Sequence, residues 1–189
     1  MDWIKYFVLK NASADLTTMT HEQFDRIFQI ANEEFPIIDS NDPDLRAFRD
    51  RGGKLLSYHG LVSPQDHVPT QDGRNSSADA SDSKADVVVP TNGSIDYFES
   101  AMAVDENVQD YYRLFLAPGL SHCIGGYGAY PDGTFDAMRK WVEEGVAPDT
   151  LNATTISEPL FSRVLCPYPQ KQYYDGTGNS TLGEGFYCA

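Results

Sequence analysis

The chain has 189 residues, 41% of them apolar, with a formal net charge of −14 and a pI near 4.4. That is enough for one domain with a real core and too little for two, so a single folded unit over 1–189 is expected. So acidic a surface repels phosphate backbones and anionic lipid heads, which argues against nucleic acid and membrane as partners, and no segment is long and apolar enough to span a bilayer.

Met1 to Lys10 has an acidic second residue and an apolar stretch broken by Lys5, and so lacks the pattern of a signal peptide. The spacing predicts an amphipathic helix over Thr20–Asn32, with Thr20 and Gln23 as a capping box and Phe24, Ile27, Phe28 and Ala31 facing inward. Asp42-Pro43 opens a short helix with Leu45 and Phe48 inward, closed by Gly52-Gly53. Lys54 to His59 is short, mostly apolar and ends at Gly60, as a buried parallel strand does.

From Val62 to Lys84 the composition turns to Ser, Asp, Gln, Pro and Gly and predicts disorder. Asn92 is then expected to cap a helix with Ile95, Phe98 and Met102 inward, and Tyr111–Leu116 to form a second strand stopped by Pro118-Gly119. Thr134 is expected to cap a last helix, with Phe135, Met138, Trp141 and Val142 inward and Gly145 closing it. Helices alternating with strands imply the α/β class, with helices covering a parallel sheet; an irregular tail rich in Pro, Gly and Tyr follows Pro148.

Three cysteines, Cys123, Cys166 and Cys188, leave at least one free or paired outside the chain. Asn-x-Ser/Thr sequons begin at Asn11, Asn75, Asn92, Asn152 and Asn179; with paired cysteines they favour an exported glycoprotein. The four histidines, His21, His59, His67 and His122, show no metal-ligand spacing, and no metal ligand is assigned.

Functional groups of an open parallel sheet sit on loops leaving the C-terminal ends of strands. His122 lies on such a loop, Gly119-Leu120-Ser121-His122-Cys123-Ile124-Gly125-Gly126, whose glycines let backbone approach a ligand. Spacing alone leaves a structural histidine equally open.

Ser57-Tyr58-His59-Gly60-Leu61, Pro90 to Phe98, Tyr112 to Gly119, His122-Cys123 and Trp141 to Pro148 closely resemble the tannase and feruloyl esterase family. The resemblance covers nearly the whole chain apart from the polar insert, and implies the C-terminal part of an α/β-hydrolase, a secreted serine carboxylic ester hydrolase. His122 matches the family's catalytic histidine. The family's His-Gly-Leu-Ala-Asp pattern is interrupted here: His59-Gly60-Leu61 runs into Val62, and Ala85-Asp86 resumes it after the insert, making Asp86 the matching acid, with Asp66 and Asp82 as rivals. Joining Leu61 to Ala85 restores the motif. Val62–Lys84 can be encoded with GT at its start and AG at its end, which suggests a translated intron.

The resemblance also implies that Cys123 pairs with a cysteine beside the nucleophilic serine, and that Cys166 and Cys188 form a C-terminal disulfide. No Gly-x-Ser-x-Gly elbow occurs in the 189 residues, so the serine is expected elsewhere, and the chain alone is expected to be inactive. The implied substrates are small phenolic-acid esters or plant polysaccharide esters. The family's structural calcium belongs to a lid outside this chain, and no catalytic cofactor is implied. Rival readings are an inactive fragment or pseudoenzyme, and a lectin-like module around Tyr168, Tyr173 and Tyr174.

Overall fold

The computed structural model describes residues 2–61, 91–121 and 124–189; it divides into two compact units, Met1–Asp42 and Pro43–Ala189. In the first, a π-helical turn at Ile4–Val8 is followed by α1 (His21–Glu34). The capping box forms as the sequence predicts. The Gln23 N–H donates to Thr20 Oγ1 at 3.2 Å and the Thr20 N–H donates to Gln23 Oε1 at 2.9 Å, which satisfies two donors that helix geometry leaves without partners. The inward assignment of Phe24 and Phe28 fails: they are 49% and 59% exposed, and with Trp3, Val8, Ile27 and Phe35 they line an open groove of about 370 Å³.

The second unit begins with α2 (Arg46–Asp50), closed by Gly52 in the left-handed region at φ 77°. It leads to β1 (Leu55–Gly60), which pairs in parallel with β2 (Tyr112–Ala117) in the register Leu55 to Tyr112 through Gly60 to Ala117. Between them in sequence comes α3 (Thr91–Val104). Residues alternate across a strand, and β2 uses both faces. Tyr112 and Leu114 pack with Phe98, Ala101, Val108 and Tyr111, while Phe115 and Ala117 pack with Leu120, Ala129, Leu151, Ala153 and Leu165. A strand covered on both faces is the parallel-sheet signature, and each fully buried large apolar side chain contributes about 2 kcal/mol.

α3 starts at Thr91, so Asn92 is an exposed residue of its first turn rather than its cap. In α4 (Thr134–Glu144) the cap is Gly133, which has no side chain to accept from the helix; Thr134 already lies in the first turn, and its hydroxyl donates to the Pro131 carbonyl at 2.7 Å. Gly145 closes α4 at φ 74°. Trp141 is buried, with the Lys54 ammonium 5.4 Å and the Arg113 guanidinium 6.0 Å from its ring, but Phe135 and Val142 are 78% and 62% exposed.

The tail is more regular than its composition suggests. β3 (Leu151–Thr154) pairs antiparallel with β4 (Ser162–Leu165), and β5 (Gln172–Tyr174) with β6 (Phe186–Cys188). Cys166 and Cys188 are joined by a disulfide with their Cα atoms 5.6 Å apart. Arg163 sits between the rings of Phe161 and Phe186, at 4.4 and 4.5 Å, and donates to the carbonyls of Ser162 and Ser180, tying β4 to the last turns. No helix among the described residues is long and apolar enough to cross a membrane.

Candidate functional site

The parallel pair gives the second unit a polarity, and several hydrogen bonds and close backbone approaches gather at its C-terminal end. β1 ends at Gly60 and β2 beside it at Ala117; the next residue after β1, Leu61, donates its N–H to the Ala117 carbonyl at 3.1 Å. Past β2, Gly119 adopts φ 77°, its carbonyl accepts from the Gly128 N–H at 2.6 Å, and the Ser121 N–H donates to the Gly125 carbonyl at 3.0 Å. These bonds draw Gly119–Ser121 and Gly125–Gly128 together as the two sides of a loop. A Cβ on Gly128 would lie 2.1 Å from the Leu120 nitrogen, so this position takes only glycine.

That loop rests on the end of β1. A Cβ on Gly60 would meet the carbonyl oxygens of Ser121 at 2.1 Å and Leu120 at 2.3 Å. From the other side, the buried Thr91 hydroxyl donates to the Gly60 carbonyl at 3.1 Å, and Ser94 Oγ shares a hydrogen bond of 2.8 Å with Nδ1 of the buried His59. The strand end, the first turn of α3 and the loop after β2 thus converge on His59-Gly60.

The sequence-derived site residues Asp86, His122 and Cys123, the rival acids Asp66 and Asp82, and the whole Val62–Lys84 insert lie outside the described residues. Their described neighbours, Leu61, Thr91 and Ser121, all reach the end of β1. Cys166 and Cys188 are brought together as the resemblance implies. Of the aromatic tail, Tyr173 and Tyr174 are 47% and 45% exposed, whereas Tyr168 packs edge-on against Phe98 and donates its hydroxyl to Glu99. That bond, then burial, pushes the Tyr168 phenol up to about 12.

Sequence reading missed a second polar cluster, at the opposite end of β2. Burial alone raises the pKa of the Asp105 carboxyl, but the Asn107 N–H at 3.1 Å, the Tyr111 hydroxyl at 3.0 Å and the Arg49 guanidinium at 2.7 Å outweigh it and hold it below the usual carboxylate range. Burial, and then the bond to Asp105, push Tyr111 up to about 12. An acidic residue just past a helix gave no distinguishing signal. Its place at the N-terminal end of the strand and its full set of partners mark it as a brace for α2 and α3.

The model of the family described as "Tannase and feruloyl esterase" matches residues 81–189. The chain is 36% identical to a probable feruloyl esterase of Arthroderma benhamiae over 99% of its own length and 32% of the relative's. It is also 36% identical to the mono(2-hydroxyethyl) terephthalate hydrolase of Piscinibacter sakaiensis over 77% of its length and 21% of that protein. Among solved structures, an esterase from Aspergillus oryzae superposes with a TM-score of 0.77 at 26% identity, covering 100% of this chain and 37% of that one. Tannin acyl hydrolase from Aspergillus niger gives a TM-score of 0.74 at 27% identity, covering 99% and 32%. These neighbours are α/β-hydrolase esterases, and the parallel β1–β2 pair flanked by helices belongs to that architecture. The chain spans about a third of the length of the curated relatives it matches.

Proposed function

Because this chain belongs to the tannase and feruloyl esterase family, we propose that it serves carboxylic ester hydrolysis by a Ser–Asp–His mechanism, contributing His122 as proton shuttle and Asp86 as the carboxylate that orients it. The observation that carries this reading is the convergence at Gly60: the chain leaves β1 there, returns there at Thr91, and meets there the loop of Ser121, the residue before His122. Asp86 stands five residues before Thr91, which limits the separation of their Cα atoms to about 17 Å.

The imidazole takes the proton of a serine hydroxyl as oxygen attacks the ester carbonyl, and gives it to the departing alcohol as the tetrahedral intermediate collapses. Water then repeats the cycle on the acyl-enzyme, and the acid is released. Asp86 holds the tautomer and stabilises the imidazolium without taking the proton; backbone N–H groups hold the oxyanion. With no Gly-x-Ser-x-Gly among the 189 residues, the nucleophile comes from outside them. Cys123 pairs with a cysteine next to that serine. The substrates are esters of phenolic acids, and the working compartment is extracellular.

A chimera in which this chain replaces the matching third of the Arthroderma benhamiae relative tests the assignment. It is expected to hydrolyse a phenolic-acid ester, with His122→Ala lowering kcat by about six orders of magnitude and Asp86→Asn by about four. Full activity of the folded His122→Ala chimera overturns the reading. The missing elbow favours a second reading, a non-catalytic fragment or pseudoenzyme, and turnover by the 189 residues alone would eliminate it.

A further inference from the structure

We infer that Asn11 and Asn179 are acceptor sites for N-linked oligosaccharide in the folded chain, and that Asn92 and Asn152, which carry the same Asn-x-Ser/Thr pattern, are closed to it by the fold. Asn75 lies outside the described residues. The inference stands apart from the ester-hydrolysis reading, because it concerns no residue given a chemical role there. Modification joins the Asn amide nitrogen to sugar, and the pattern further demands Ser or Thr two residues on. Those two side chains share only a hydroxyl, so the hydroxyl is what a transferase reads.

Asn11 and Asn179 offer both groups in the same geometry. The Ser13 N–H donates to Asn11 Oδ1 at 3.0 Å, and the Thr181 N–H donates to Asn179 Oδ1 at 3.0 Å. Each bond occupies the amide oxygen and leaves Nδ2 as the free end of the side chain. Asn11, Ser13, Asn179 and Thr181 are all exposed, and neither hydroxyl has a partner among the described residues. Both sites lie in turns, Asn179 just before the single 3-10 turn Ser180–Leu182. An N-linked sugar keeps the amide oxygen, so each turn retains its bond after modification.

Asn92 and Asn152 are exposed too, but the rest of their pattern is built into the fold. Ser94 is half-buried within α3, and its Oγ shares a hydrogen bond of 2.8 Å with His59 Nδ1. Thr154 is half-buried in β3; its hydroxyl donates to Asp132 Oδ2 at 3.3 Å and its N–H to the Tyr130 carbonyl at 2.9 Å. Between Asn152 and Thr154, Ala153 is 0% exposed, and Asn152 is paired with Val164 of β4. Presenting either hydroxyl requires unwinding the first turn of α3 or stripping β3 from β4, and openings of packed elements are far rarer than those of surface turns.

The donor is an oligosaccharide linked to a polyprenyl diphosphate. Nδ2 attacks the first sugar carbon and an N–C bond forms as the C–O bond to the diphosphate breaks. The lipid diphosphate leaves with the bonding pair, and the amide gives up one proton.

The test takes the folded 189-residue chain from a host without N-glycosylation and incubates it with a single-subunit oligosaccharyltransferase and that donor. Synthetic peptides spanning the same four patterns serve as the unfolded reference, and glycopeptide mass spectrometry reads occupancy. Relative to its own peptide, transfer at Asn11 and at Asn179 is expected to exceed that at Asn92 and Asn152 by at least about tenfold. Ser13→Ala and Thr181→Ala should each abolish transfer at their own site and leave the other site unchanged. Comparable transfer at all four sites overturns the inference, because the fold would then close none of them. Transfer to the peptides alone, with the folded chain unmodified, overturns it equally; transfer at only one of the two open sites overturns the assignment of the other.

Discussion

Gly60 and Ser121 approach so closely that a methyl group on the Gly60 Cα would sit 2.1 Å from the Ser121 carbonyl oxygen. Both neighbours of that space, Ser121 and Leu120, present backbone oxygen, which has no rotamer to escape into. Gly60→Ala is therefore expected to destabilise the fold by about 3 kcal/mol, the upper end of overpacking costs, and to displace the Ser121 side of the loop. Urea unfolding checks the first and amide chemical shifts of Leu120, Ser121 and Gly125 the second. A loss below about 1 kcal/mol would show that the strand end and the loop yield to each other.

The link from Thr91 to the Gly60 carbonyl fixes where the 62–90 segment ends, whatever its length. Closing a loop costs more as it lengthens, by (3/2)RT per logarithmic unit. Removing Val62–Lys84 and joining Leu61 to Ala85 shortens the connection to Thr91 from 29 to 6 residues. The deletion is expected to raise unfolding free energy by about 1.4 kcal/mol with an unchanged β1–β2 register. Denaturant titration of the two chains measures this. A destabilised deletion chain would mean that the insert makes stabilising contacts, and would remove the physical case for its being surplus.

The Cys166–Cys188 bond closes a separation of 22 residues that contains the β5–β6 hairpin and ties it to the residue after β4. Replacing both cysteines by serine is expected to cost roughly 3 kcal/mol on the chain-entropy model. The loss should fall on the tail first, read as faster amide exchange at Tyr173 and Tyr187 than at Leu114. Equal protection in the two forms would show that Arg163 and its aromatic neighbours suffice to hold the tail.

What the sequence disclosed and withheld follows the range of the interactions involved. The Thr20–Gln23 box was legible because all its partners lie within one turn, and the parallel pair because helix–strand alternation leaves few other arrangements. Phe24, Phe28, Phe135 and Val142 were misplaced because helical periodicity names an apolar face without naming what covers it. The four tail strands are three or four residues long, too short for alternation to register, and each is defined only by a distant partner. Past β2, a glycine-rich loop could be read from its glycines and its place after a strand. The bonds from Thr91 and Ser94 to β1 could not, since hydroxyls at the start of a helix look like ordinary caps.

The Asp105–Tyr111 pair makes stability depend on pH at both extremes, with opposite signs. The folded-state pKa of Asp105 is depressed below its ordinary 3.8 by the Asn107 N–H, Tyr111 and Arg49 acting against burial. Its contribution is therefore present above the unfolded value and is lost as pH falls through the folded one. Tyr111 is raised from 10.0 to about 12, by burial first and then by its bond to Asp105, so its contribution is whole below pH 10 and is lost as pH climbs from 10 towards 12. Asp105→Asn should thus flatten the stability profile below pH 4, and Tyr111→Phe should flatten the alkaline limb between 10 and 12. Thermal melts across both ranges give the measurement. The double variant should show less than the sum of the two single losses, because the carboxylate and the phenol are partners at 3.0 Å. Strict additivity would mean that each group is held by its other contacts, Asp105 by Arg49 and Asn107 and Tyr111 by its apolar neighbours, and that the bond between them contributes nothing.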